Sequence, residues 1–175
     1  MVLPIVCGKS EVTVNMSDHW ATRLVEDSDA KALFQLIEHC FAPYEGVVVE
    51  PEGIDSDLNS YASELKKIGG QGFVVELAGN IIGLVSGAPI CADRYQLKKL
   101  YLHEQARGSG LATQLVSVVE DLAWRAGAKS LELWSDTRFV RAHRFYERVG
   151  FERQEETREL HDLSNSIEYQ FVKLV

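Results

Sequence analysis

LKKLYLHEQARGSGLATQLVSVVEDLAWRAG, residues 97–127, joins three local patterns in one run. Apolar residues first alternate, with Leu97 and Tyr101 on one face and Leu100 and Leu102 on the other, which reads as a strand. A polar link from His103 to Arg107 follows, and then Gly108-Ser109-Gly110. Beyond it, Leu111, Leu115, Val118, Val119, Leu122 and Ala126 recur at helical spacing, while Gln114, Ser117, Asp121 and Arg125 take the other side. Gly127 stops the helix as a C-terminal glycine does. A strand therefore feeds a glycine-rich turn, and the turn feeds a helix N-terminus. Unpaired backbone N–H groups and the positive end of a helix dipole converge there, which suits a phosphate. Glycines let phosphate oxygens reach the backbone with no Cβ in the way.

The type of phosphate ligand follows from what the turn lacks. No Gly-Lys-Ser/Thr follows a glycine at the spacing of a Walker A loop. A dinucleotide fingerprint is closer, since Glu132 lies downstream, but Thr113 occupies its third glycine position and five residues separate strand from glycine. The better match is Arg107-Gly108-Ser109-Gly110-Leu111-Ala112, an Arg/Gln-x-x-Gly-x-Gly/Ala pattern directly after a Leu-Tyr-Leu strand end. Phe145-Tyr146-Glu147-Arg148-Val149-Gly150-Phe151 lies downstream. In this order the pieces resemble the GNAT superfamily of acyl-CoA-dependent N-acyltransferases, from about Phe73 to the C-terminus.

Outward from that core, 175 residues suit one domain, and 46% hydrophobic with 25% charged residues is ordinary for a soluble globular chain. The net charge of −8 argues against non-specific nucleic-acid binding and favours amine partners. No apolar run approaches a membrane span, and Met1–Ser10 lacks the basic start and long apolar centre of a signal peptide. Cys7, Cys40 and Cys91 are odd in number and far apart, which fits a reducing cytoplasm. Residues 1–18 read as an appendage with a strand at Glu11–Val14, and 19–175 as the domain. A strand over Ala21–Glu26 precedes a helix capped by Asp27 or Ser28. An irregular acidic segment, Phe41–Ser56, leads to a second helix through Leu58 and Leu65, ended by Gly69-Gly70. Phe73–Ala78 and Ile81–Ala88 form a hairpin turning at Gly79-Asn80. Ser130–Ser135 is a strand, Arg138–Val149 a helix, and Phe151–Thr157 with Ile167–Leu174 an antiparallel pair. The expected fold is α/β (α+β), a mixed, mostly antiparallel sheet with helices on both faces. The resemblance implies that Tyr95–Leu102 and Ser130–Ser135 are parallel and splay apart at their C-terminal ends, where acyl-CoA enters.

The resemblance also assigns residues. Acetyl-CoA would set its pyrophosphate on the backbone from Gly108 to Thr113 beside Arg107, and its pantetheine arm would pair with the edge of Leu100, Tyr101 and Leu102. Tyr146, in the Phe-Tyr pair, would protonate the departing thiolate; packing is the competing explanation, because Phe139, Ala142, Tyr146 and Val149 share a face. Two features depart from the family. Phe139 stands where an Asn often touches the cofactor, and Gln96 and Trp134 stand where carboxylate bases are usual. Deprotonation of the amine would then fall to water, or to Glu45 or Asp136 reaching in from loops. Tyr44, Glu45, Glu50, Glu52, Asp55 and Asp57 lie where the family recognises its acceptor, and a solvated loop explains them equally well. Arg138, Arg141, Arg144 and Arg148 form a strip, expected to pair with Glu147 and Glu152 rather than to meet a 3′-phosphate. The five histidines show no metal-ligand spacing, and Cys40 fits an apolar helical stripe. The reading is an N-acetyltransferase acting on a primary amine of a small molecule, without a metal; a homodimer stays open. The alternatives are a non-catalytic acyl-CoA-binding module and, lower, a nucleotide-dependent oxidoreductase.

Overall fold

The computed structural model describes residues 20–175, so the expected appendage and its strand at Glu11–Val14 lie outside the described residues. Seven strands form one sheet: β1 (Trp20–Leu24), β2 (Gln71–Leu77), β3 (Asn80–Cys91), β4 (Arg94–Leu102), β5 (Ser130–Asp136), β6 (Glu152–Glu159) and β7 (Ile167–Leu174). Their spatial order is β1-β2-β3-β4-β5-β7-β6, antiparallel throughout except for the β4–β5 pair. Four helices cover it, α1 (Ala30–Phe41), α2 (Tyr61–Lys67), α3 (Leu111–Arg125) and α4 (Val140–Arg148). The mixed sheet and the order of elements are those expected. Among the described residues no helix is long and apolar enough to cross a membrane.

Strand alternation divides the core in two. Val74 and Leu84 face α1 and α2 with Leu33, Ile37, Leu58 and Tyr61, whereas Val75 and Val85 face the other way with Leu115, Val119, Leu131 and Phe171. Gly87 lets α3 sit close on β3, because a Cβ there would meet Val119 Cγ1 at 2.7 Å and Tyr95 Cε1 at 2.7 Å.

Local details differ from the sequence expectation for identifiable reasons. Helix α1 is not capped by Asp27 or Ser28. Asp29 accepts the Glu26 N–H at 2.8 Å and holds Arg23, while Asp27 reaches across to accept the Ser63 N–H at 2.9 Å and its hydroxyl at 2.5 Å. The hairpin turns at Ala78-Gly79, one residue early, with both φ values positive (50° and 79°), the conformation whose twist matches the strands. Helix α4 starts at Val140 rather than Arg138, because Asp136 takes the N–H of Arg138 on its Oδ1 and that of Phe139 on its carbonyl.

The difference of most consequence is in β4. Gly87 pairs with Leu97 and Ser86 with Lys99, so Lys98 is an extra, unpaired residue, a β-bulge. The insertion flips the alternation. Leu97 and then Leu100 and Leu102 face the α3 side, while Lys99 and Tyr101 turn toward α1 and α2. The expectation that Leu97 and Tyr101 share a face is corrected by this one residue.

Candidate active site

Strands β4 and β5 are bridged only from Arg94–Ser130 to Gln96–Glu132, after which β5 continues against β7 alone. From the bulge onward the two parallel strands diverge, and the β5-facing edge of Leu97–Leu102 has no strand partner. A cavity of about 1040 Å³ occupies the divergence. Leu100, Tyr101 and Leu102 line one wall, Trp134 and Asp136 the other, and the α3 turn closes one end. Cys40 reaches in from α1 and donates its S–H to the Leu102 carbonyl at 3.7 Å. Burial raises the Cys40 thiol pKa, so it is a poor nucleophile there.

The turn has the expected form. Gly108 and Gly110 adopt φ of +80° and +84°, and a Cβ built on either would meet nothing within 4 Å. The left-handed backbone rather than crowding therefore calls for glycine. Arg107, Gly108, Gly110, Leu111, Ala112 and Thr113 all line the cavity. Ser109 does not: its hydroxyl donates to the Ala106 carbonyl at 2.7 Å and accepts the Leu111 N–H at 3.2 Å, so it braces the turn. One helix-terminal donor is thereby used, and Ala112 and Thr113, whose first-turn amides lack a helical acceptor, line the cavity. Arg141, Arg144 and Arg148 of α4 line the same cavity, with Arg148 stacked on Phe145. The expectation that this strip pairs with Glu147 and Glu152 is corrected, since no such pair occurs among the described residues. A polyanion would meet backbone amides on one side and guanidinium groups on the other.

Tyr146 projects from α4 into this cavity, only 7% exposed. Its ring is wedged among Phe145, Phe151 and Phe171 at centroid distances of 5.6, 5.9 and 5.7 Å. Burial alone raises the phenol pKa, with no hydrogen bond contributing, so the group is protonated at neutral pH and its proton has no protein acceptor among the described residues. The hydroxyl is not among the fully buried unpaired polar atoms, so it opens onto the cavity, where a bound ligand can meet it. Helix α4 is held in place by His143, whose Nε2–H donates to the Asp136 carbonyl at 2.9 Å.

A second cavity of about 260 Å³ meets the first at Tyr101, Asp136, Phe139 and Glu168. Asp55 and Asp57 line it with Gln96, and burial raises the Asp55 pKa. Glu45 is exposed and lines neither cavity, so the structure does not bring it to the other residues. Asp136 lines both cavities but is locked. Burial opposes its charge, yet the Arg138 side chain, donating from Nε at 2.8 Å and Nη2 at 2.5 Å, and the Arg138 N–H hold its carboxyl below the usual range. Glu168 is the other carboxylate common to both cavities, and it accepts from Arg158 Nε at 2.6 Å. It stands opposite Asp136 in the β5–β7 register, a signal present in the sequence only once that register is known.

A model of the Acetyltransferase (GNAT) family matches residues 30–151, most of the chain. The chain belongs to the GNAT acetyltransferase family. Among curated proteins none matches it significantly. Solved structures share the fold: an acetyltransferase of Streptococcus agalactiae is 19% identical, with 90% of this chain and 99% of that one covered at a TM-score of 0.75. The yncA protein of Salmonella typhimurium, solved with its cofactor acetyl-CoA, is 16% identical over 90% and 94%, at 0.67. A variant of the SpeG spermidine N-acetyltransferase of Vibrio cholerae is 18% identical over 89% and 94%, at 0.64.

The departures from the family pattern have definite places. Phe139 packs on Phe41 and Tyr44, with ring centroids 5.7 and 4.6 Å away, as an aromatic wall where the cavities meet. Trp134 lies under the Arg158 guanidinium at 4.5 Å. Neither is a proton acceptor.

Proposed function

We propose that this GNAT member is an N-acetyltransferase that moves the acetyl group of acetyl-CoA to a primary amine of a small molecule by direct attack. The observation that carries the reading is the Tyr146 hydroxyl, partnerless among the described residues, in the cavity that ends on the glycine turn. A donor carrying phosphates fits that turn: two left-handed glycines leave open space over α3's first amides, with Arg107, Arg141, Arg144 and Arg148 around it. The unpaired edge of β4 offers peptide groups to an amide-bearing arm.

The residues divide the work. The glycine turn and arginines hold the phosphates, and β4 aligns the arm along the cavity. Tyr146 keeps its proton until a thiolate is expelled and then donates it. Asp136 holds Arg138 and, through its carbonyl, α4, so it positions Tyr146 rather than accepting a proton. Glu168 gives Oε2 to Arg158 and keeps Oε1, the oxygen that would relay the amine's proton directly or through water, whereas both Asp136 oxygens are taken by Arg138. The small cavity beside Phe139 takes the body of the acceptor. The similar SpeG protein is a spermidine N-acetyltransferase, which supports an amine acceptor. A reducing cytoplasm is the proposed setting, on the odd number and wide spacing of Cys7, Cys40 and Cys91 in the sequence.

Thiol release from acetyl-CoA across a panel of primary amines, with each acetamide product identified by mass, tests the proposal. Amine-dependent release is expected. Tight acetyl-CoA binding with no turnover on any amine, peptide lysines included, would instead mark a non-catalytic acyl-CoA-binding module.

A further inference from the structure

Two lysines, Lys98 and Lys99, line both cavities, and their surroundings differ. The ammonium of Lys99 lies 3.8 Å from Asp55 and 3.5 Å from Asp57 and over the Tyr61 ring, so it is held on the α1 and α2 side. Lys98 has no acidic partner among the described residues. It is the bulged residue itself, two positions past Gln96, where β4 leaves β5. Its backbone therefore begins the open edge, and the residue lines both the donor and the acceptor cavity. We propose that Lys98 is a self-acetylation site: with acetyl-CoA bound and no acceptor present, its own amine takes the acetyl group. This rests on the acetyl-CoA reading above and goes beyond it, because the chain itself becomes a substrate.

The chemistry needs no further reagent. The Lys98 Nζ lone pair attacks the thioester carbonyl carbon and the C–S bond breaks. An amide forms, the CoA thiolate leaves, and it takes up the proton that the nitrogen loses. Nothing is oxidised or reduced. The attacking nitrogen must be neutral, and its setting favours that form. Lys98 is exposed as a residue, yet partial desolvation where it lines the cavities, the adjacent Lys99 and Arg158 lower its ammonium pKa, and only Asp57 opposes them. Glu168 and Asp136, the carboxylates common to both cavities, pair with Arg158 and Arg138 rather than with Lys98. Tethering replaces a bimolecular encounter with an intramolecular one, the usual source of large rate gains. The acetamide would remove a positive charge from the cavity lining and place an uncharged chain there, so acceptor turnover should slow as modification accumulates.

The experiment incubates the full chain with acetyl-CoA alone and maps acetylated lysines by peptide mass over time. Lys98 is expected to react about tenfold or more faster than Lys67, which lines neither cavity, at a rate independent of protein concentration. Excess free CoA should suppress Lys98 labelling and leave Lys67 labelling unchanged. Lys98→Arg should abolish the fast phase while acetyl-CoA still raises the melting temperature. Lys98 labelling no faster than Lys67, or indifferent to CoA, would overturn the inference. If acetyl-CoA raises the melting temperature without fast labelling, the inference falls and the acetyltransferase reading stands. If acetyl-CoA has no effect on melting, both fall.

Discussion

Replacing Tyr146 by Phe removes one atom from a well-packed site. The ring stays wedged among Phe145, Phe151 and Phe171, and no protein hydrogen bond is lost, because burial is the only influence on the phenol. Stability should therefore fall by less than the roughly 0.5–1.5 kcal/mol that a lost intramolecular hydrogen bond costs. Turnover should respond differently. Loss of a positioned general acid costs roughly 10²–10⁴-fold, and the lower end applies here, since a CoA thiolate leaves tolerably well and water can donate in part. A hundredfold loss is about 2.7 kcal/mol of barrier. The measurement is kcat at saturating acetyl-CoA on a verified amine, beside a denaturant melt and a CoA affinity. A drop in kcat with the other two unchanged is expected. Near-wild-type turnover, or a stability loss that accounts for the whole defect, would refute the assignment.

Three further outcomes follow from the same geometry. Gly110→Val should leave the circular-dichroism spectrum native but weaken CoA binding at least about tenfold, because a β-branched residue at φ +84° shifts the turn at a cost of about 1–2 kcal/mol or more; unchanged affinity would move the phosphates elsewhere. Asp136→Asn should destabilise the protein at neutral pH, measured as the denaturant midpoint. The folded carboxyl titrates below its ordinary pKa, so its contribution is fully present above about pH 4 and is lost progressively below it as pH falls through the depressed folded value, and the difference between variant and parent should shrink over that range. Glu168→Gln should lower kcat by roughly 10²-fold with CoA affinity intact, and a kcat within twofold or so of the parent would leave proton removal to water.

Legibility in the sequence followed locality. The strand–glycine–helix unit was readable because each signal lies within a few residues of the next: alternation to Leu102, glycines at 108 and 110, helical spacing from Leu111. Tyr146 was readable from its place before Val149-Gly150-Phe151. The β4 bulge was not, since Lys98 looks like any polar strand position until β3 fixes which residues pair. The flipped face of Tyr101 and the position of Lys98 both come from that long-range register. Similarly, Glu168 became a candidate only through its place opposite Asp136, thirty-two positions earlier in the chain. The arginine strip pointed to local pairing with Glu147 because helical neighbours are what a sequence displays. The cavity that Arg141, Arg144 and Arg148 line is closed by α3, a distant element. Glu45 drew attention through acidic company alone, and nothing in its segment turns it inward.

The central claim is that the glycine turn and its arginines hold a CoA thioester, and a thermal melt tests it most directly. At a ligand concentration about 100 times Kd, acetyl-CoA should stabilise the protein by about 2.7 kcal/mol, which for a chain of this size raises Tm by about 5–10 °C. NAD at the same concentration should leave Tm unchanged. A shift with NAD and none with acetyl-CoA, or no shift with any CoA thioester at millimolar concentration, would contradict it.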